Sequence, residues 1–220
     1  MGFHGVNIGE VAIQYVCLLF SLCVHEAAHA FMADRCGDPS ARFLGRATLN
    51  PLAHIDPMGT VIMPLLMMFT GVPFLFGWAK PVPYNPRNLR DQRRDPVLIA
   101  LAGPAANCIM MITFAIILRI VVISMHIPPT YQALQFGPFL LVFSMVMINM
   151  ALMAFNLIPV PPLDGSALLY RVLSLNGQRM LEQVGPFGII IAMVVAYQVL
   201  PGPMHALQRA ILLFAFWGRV

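Results

Sequence analysis

Two histidines and a glutamate interrupt the apolar run LLFSLCVHEAAHAFMADRCG: His25, Glu26 and His29. A charged side chain at the centre of a membrane helix costs about 2.5–3.5 kcal/mol on insertion scales, so ionisable groups persist there where they have work to do. The pattern is H-E-x-x-H. On a helix, residues four apart share a face, so His25 and His29 can aim imidazole nitrogens at one ion. Glu26 can reach a water on that ion without ligating it. This is zinc-hydrolase chemistry, with two histidines as ligands and a glutamate as general base. Bound zinc brings the pKa of its water down to about 7. The plainer alternative is two histidines that satisfy backbone carbonyls or line a water cavity.

A catalytic zinc takes a third protein ligand and keeps an open position. Asp164, in NLIPVPPLDG, is the outstanding acidic candidate. It follows a long apolar run, and Pro159, Pro161 and Pro162 closely precede it. Proline withholds a backbone donor and breaks helices. Irregular backbone at membrane depth is tolerated only against protein or a water-filled cavity. A broken segment that delivers a carboxylate suits a buried metal site. Ordinary Asp-Gly turn chemistry is the competing reading.

The elements that must position these groups are membrane helices. Of the 220 residues 59% are hydrophobic and only 10% charged, with a mean hydropathy of +0.79. Soluble domains are about 25% charged, so the composition excludes an ordinary soluble enzyme. The formal charge of +4 is too thin and too embedded in apolar sequence to suggest a nucleic-acid partner. Cys17, Cys23, Cys36 and Cys108 show no C-x-x-C pairing and read as free thiols. The first apolar run lacks a basic flank and a small-residue cleavage site, so it is expected to stay as a helix.

A spanning helix needs about 20 apolar residues. The expected fold is an all-α polytopic membrane protein with about five transmembrane helices, near 8–33, 96–125, 138–157, 186–200 and 204–217. A re-entrant or membrane-dipping segment is expected at 58–78, with possible short β-strands at FLGRATL. The chain reads as a single membrane-embedded domain over 1–220, its catalytic core near 8–175 and its C-terminal helices near 184–218. Loop 80–94 holds five basic residues, Lys80, Arg87, Arg90, Arg93 and Arg94, while loop 126–137 has no Lys or Arg. The positive-inside rule puts the first in the cytoplasm. His29 and Asp164 both follow helix exits, and these must share a face if the residues meet. Two crossings between them satisfy this and three do not. Pro64, Gly71 and Pro73 agree that 58–78 does not cross.

VHEAAHAFMADRCGD near the start and FNLIPVPPLDGSALLYRVL near the end resemble the paired motifs of the site-2 protease family, the intramembrane zinc metalloproteases. LAGPAANCIMM is similar to that family's G-P-x-x-N segment, and GWAKPVPYNPRNL to its compact bacterial branch, without a PDZ-like or regulatory domain. The resemblance implies one zinc per chain held by His25, His29 and Asp164, with Glu26 as base. It offers Asn149 as a catalytic residue that binds substrate backbone or the oxyanion, against a plain interhelical hydrogen bond. Asn107 reads as a packing residue and Gly103 as a point of close helix approach. The family often has Gly-Gly after the aspartate, whereas Ser166 follows Gly165 here. His54 is either a residue near the metal or a loop histidine, and His4, His126 and His205 read as interfacial.

The function implied is zinc-dependent cleavage of transmembrane protein or peptide substrates within the lipid bilayer, in a multi-pass protein of the bacterial cytoplasmic membrane. The substrate helix must unwind, and pairing with an edge near FLGRATL or FLFGWAKPV would hold it extended. A transporter or channel that uses the His/Glu/Asp cluster for protons or metal ions is the alternative. A non-catalytic protein with a relic site is a second rival, weakened by the intact Glu26.

Overall fold

The computed structural model describes residues 8–70, 77–128 and 137–218. It is helical, and no strand occurs among the described residues. Three long helices make its frame: α1 (Ile8–Arg35), α4 (Asp95–Ser124) and α5 (Gly137–Asn156). Shorter helices are α2 (Ser40–Phe43), α3 (Met63–Thr70) and α6 (Ser166–Val172). The chain closes with α7 (Leu175–Val199) and α8 (Pro201–Phe216).

Each frame helix is long and apolar enough to cross a membrane. At 1.5 Å per residue the 30 residues of α4 reach about 45 Å, beyond the roughly 30 Å hydrocarbon core. A fourth span exists if α7, bent by 88° within its length, counts as one. The 16 residues of α8 reach only about 24 Å and fall short of a span. The described residues thus provide three or four helices of spanning character.

The side chains sort as lipid requires. On α4, Ile109, Ile112, Ile116, Ile120 and Ile123 recur every three or four residues and are all exposed. The opposite face buries Gly103, Asn107, Met111, Ala115, Leu118 and Val122. At the end of α4 away from the histidines, Leu118 and Val122 pack with Phe139, Val142 and Val146 of α5 and with Ile211 and Ala215 of α8. On α1, Ala27, Ala30 and Ala33 are fully buried, and such small side chains let helix backbones approach closely.

The apolar run at 58–78 turns back on itself. A π-type turn at Pro57–Ile62 leads into α3. Residues 71–76 lie outside the described residues, yet the two ends of the run meet. Trp78 N donates to Gly59 O at 3.2 Å, and Thr60 Oγ1 donates to Trp78 O at 2.9 Å. A segment whose ends are hydrogen-bonded together makes no net crossing. That leaves α4 and α5 as the two helices of spanning character among the described residues between the exits of α1 and α5.

The short strands do not appear. In FLGRATL, α2 ends at Phe43, Leu44 and Gly45 form a turn, and bends follow at 47–49. Residues 77–82 bond at isolated points rather than along a ladder: Lys80 N donates to His54 O, and Val82 N to the Glu26 side chain.

Candidate metal centre

The antiparallel pairing of α1 and α4 sets the depth of the cluster. His25 and His29 lie about six to ten residues before the end of α1, and Gly103 lies about eight after the start of α4. All three sit roughly 9–15 Å in from the same helix ends. A Cβ on Gly103 would collide with the imidazoles of both His25 and His29. Glycine here lets α4 close on the histidine pair.

Second contacts fix both tautomers. Nδ1 of His25 stands 2.6 Å from Asn107 Oδ1, and Nδ1 of His29 stands 2.7 Å from Ile99 O. Both oxygens only accept, so each Nδ1 carries the proton and each Nε2 keeps a free electron pair. The two Nε2 atoms face each other at 3.0 Å.

Asp164 completes the convergence. Its Oδ2 lies 3.1 Å from His25 Nε2 and 3.5 Å from His29 Nε2. That oxygen is buried and has no hydrogen-bond donor. The loop delivers it by folding back on α5: Gly165 N donates to Asn156 O at 2.7 Å. A Cβ on Gly165 would strike the Leu157 carbonyl, so the tight return requires glycine. Ile158 and Leu163 anchor the loop on Ala192 of α7. Ser166, where a second glycine was expected, is buried at the start of α6.

Two nitrogen lone pairs and a carboxylate oxygen thus point at one another within 3.0–3.5 Å. Ligands about 2.0–2.1 Å from a tetrahedral zinc stand roughly 3.3 Å apart. The donor set and its spacing fit zinc, and a cation relieves the repulsion of three facing acceptors. Glu26 offers a second carboxylate: one of its oxygens and one ring nitrogen each from His25 and His29 lie within 4.8 Å of one another. Glu26 Oε2, however, already accepts from Val82 N at 3.1 Å.

Behind His25 runs a buried amide chain. Asn107 Nδ2 donates to Asn149 Oδ1 at 2.8 Å. Asn149 Nδ2 donates to Ser21 Oγ at 2.9 Å and to Met145 O at 2.8 Å. Asn107, Asn149 and Ser21 are fully buried, and the chain ties α1, α4 and α5 together. The contact from Asn107 to His25 was not foreseen, although the i, i+4 spacing of Gly103 and Asn107 was a signal for it. His54 is not among the residues that converge on His25, His29 and Asp164. It is buried, with Nε2 2.9 Å from Thr48 O, and shares a cavity of about 20 Å³ with Leu22 and Cys23. His126 and His205 are exposed, and His4 lies outside the described residues.

Residues 13–200 match the family model described as Peptidase family M50. The chain is similar to the candidate zinc metalloprotease YwhC of Bacillus subtilis, with 35% identity over 181 residues, 81% of this chain and 77% of the relative. It is similar to the candidate zinc metalloprotease Rip2 of Mycolicibacterium smegmatis, with 32% identity over 176 residues, 80% of this chain and 63% of the relative. Rip2 of Mycobacterium tuberculosis is 31% identical over the same coverage. The chain therefore spans less than two thirds of the length of the mycobacterial relatives. No solved structure matches the chain.

Proposed function

The chain belongs to Peptidase family M50, and from that premise we propose how its residues cut a membrane peptide. It is a zinc-dependent intramembrane protease. One zinc per chain is held by His25, His29 and Asp164. The observation that carries this assignment is the convergence of the two Nε2 atoms and the undonated Asp164 Oδ2. When bound, zinc acts as a Lewis acid toward the substrate carbonyl and acidifies a water to a pKa of about 7.

Glu26 is the general base. Its carboxylate takes a proton from the attacking water as the C–O bond forms and the carbonyl electron pair moves to oxygen; it then passes that proton to the amine nitrogen, and the C–N bond breaks as the carbonyl re-forms. Val82 N–H on Glu26 Oε2 places the 77–85 segment beside the base. Asn107 and Ile99 O hold the ligand imidazoles in the tautomer that presents Nε2. Asn149 has both amide hydrogens and its oxygen engaged, so we assign it to positioning through Asn107 rather than to the oxyanion.

The substrate is a transmembrane protein segment that unwinds near the zinc, because a helical backbone hides its carbonyls in internal hydrogen bonds. The basic loop at 80–94 faces the cytoplasm, which places the zinc near the cytoplasmic side of a bacterial cell membrane. The whole chain acts as one membrane-embedded domain, with α8 packed onto α4 and α5 and α7 packed onto the loop that carries Asp164.

The test compares wild type and Glu26→Gln, purified in detergent, on a model transmembrane substrate. Both keep zinc, and the variant loses cleavage by about 10²-fold or more. Equal cleavage by the variant discards Glu26 as the base. Ion flux that persists without Glu26 favours the transporter reading.

A further inference from the structure

Close in sequence to the proposed zinc ligands, the protein holds a space that the chemistry above does not use. A cavity of about 810 Å³ opens between the loop before α4, the first turn of α4, α6 and the start of α7. Its walls include Tyr84, Arg93, Val97, Ala167, Tyr170 and Arg171. Ligand-binding clefts measure roughly 300–1,000 Å³, so the volume suits several residues of an extended peptide.

Two connections tie this cavity to the chemistry. Ala167 lies three residues after Asp164, and Val97 two residues before Ile99, whose carbonyl orients His29. The cavity therefore lies against the same elements that carry Asp164 and Ile99, beside the end of the basic loop.

Its charge is one-sided. Arg93 and Arg171 line it, and no Asp or Glu is among the described residues that do. Asp91 feels the charges of Arg94 and Arg171. One of its oxygens is spent on the backbone N–H groups of Arg93 and Arg94, at 2.8 and 2.9 Å, before α4. Neither Arg93 nor Arg171 has an ion-pair partner within 4.0 Å among the described residues.

We propose that this cavity is a specificity subsite that receives the cytoplasmic flank of the substrate and selects acidic over basic flanks. The inference rests on the peptidase reading above. Its consequence is selective, because transmembrane segments ordinarily meet the cytoplasm with Lys or Arg. Two arginines in a partly enclosed space repel that common flank and attract Asp or Glu. Tyr84 and Tyr170 add flat surfaces along which an extended chain can lie. A substrate is then distinguished from bystander membrane proteins by its flank as well as by a helix that unwinds.

The test uses three model substrates with one transmembrane segment and acidic, neutral or basic cytoplasmic flanks, in vesicles of neutral lipid. Wild type cleaves the acidic form roughly three- to tenfold faster than the basic form, the scale of one or two partly exposed charge pairs. The ratio falls toward one in R93Q/R171Q and returns in R93K/R171K, which retains the charges. A ratio within each enzyme cancels differences in folded fraction. Binding of the same substrates to Glu26→Gln protein gives a readout without turnover, with acidic tighter than basic and the difference shrinking as salt rises. Equal rates and equal binding across the three flanks overturn the subsite and leave the peptidase reading intact. Flank-selective binding without cleavage by zinc-loaded wild type supports the subsite and overturns the peptidase reading. Rates that follow the anionic lipid content of the vesicles, whatever the flank, assign the arginines to a lipid headgroup and overturn the proposal.

Discussion

At the scale of single residues, the zinc-binding character of the site lies in which nitrogen keeps its proton. Asn107 fixes that choice for His25, at 2.6 Å from Nδ1. Groups that orient a metal-bound histidine typically change metal affinity by about 10–100-fold when removed. Asn107→Leu is therefore expected to weaken zinc binding by that factor while leaving the helices formed, as competition with a zinc-chelating dye would register. Affinity equal to wild type would reduce Asn107 to packing. His25, Glu26, His29 and Asp164 were legible in the sequence because ionisable groups stand out against apolar neighbours. The supporting chain was less so. Asn107, Asn149 and Ser21 look like ordinary helix-contact residues until α1, α4 and α5 are brought together. Ile99 O and Val82 N act through the backbone, so side-chain identity carries no trace of them.

At the scale of elements, the connections carry as much information as the helices. The long apolar helices were readable from length and hydropathy, and their helical state from the need to satisfy every backbone group in lipid. The return of the 58–78 run was readable from its prolines and the parity of crossings. Cysteines placed at Met58 and Lys80 are expected to react with an impermeant maleimide from one membrane face. Reaction from opposite faces would mean that the run crosses and that Asp164 cannot join the histidines. The strand expectation finds no support among the described residues, where Trp78 N, Lys80 N and Val82 N each reach a separate acceptor.

Asp38 shows what holds the loops to the end of α1. It is fully buried just past Arg35 and accepts from Ser40, from Asn88 Nδ2 and from Asn85 N. Burial pushes its carboxyl up, and these donors more than offset it, leaving the pKa below the usual carboxylate value. A folded pKa below the unfolded one adds stability above the unfolded value, and that stability drains away as pH falls through the folded value. Thermal unfolding should thus show stability declining below about pH 4, with a weaker decline in Asp38→Asn and a lower melting temperature at neutral pH. Parallel pH curves for the two proteins would contradict this role.

At the scale of the whole molecule, the arrangement is a polar line inside an apolar shell. The isoleucine stripe of α4 is exposed, and the opposite face meets the amide chain and the proposed zinc ligands. At the far end, Arg119 donates to Phe214 O and lies over the Phe214 ring at 5.2 Å, joining α8 to α4. How α7 and α8 complete the structure was not legible, because their apolar runs are short and their contacts with the Asp164 loop and with α4 and α5 come from distant sequence. Asp164, and not Glu26, is proposed as the third zinc ligand. Zinc content per purified chain, measured side by side on Asp164→Ala and Glu26→Gln, tests it most directly. About one zinc is expected in Glu26→Gln and a large loss in Asp164→Ala; full zinc in Asp164→Ala with loss in Glu26→Gln would reverse the assignment.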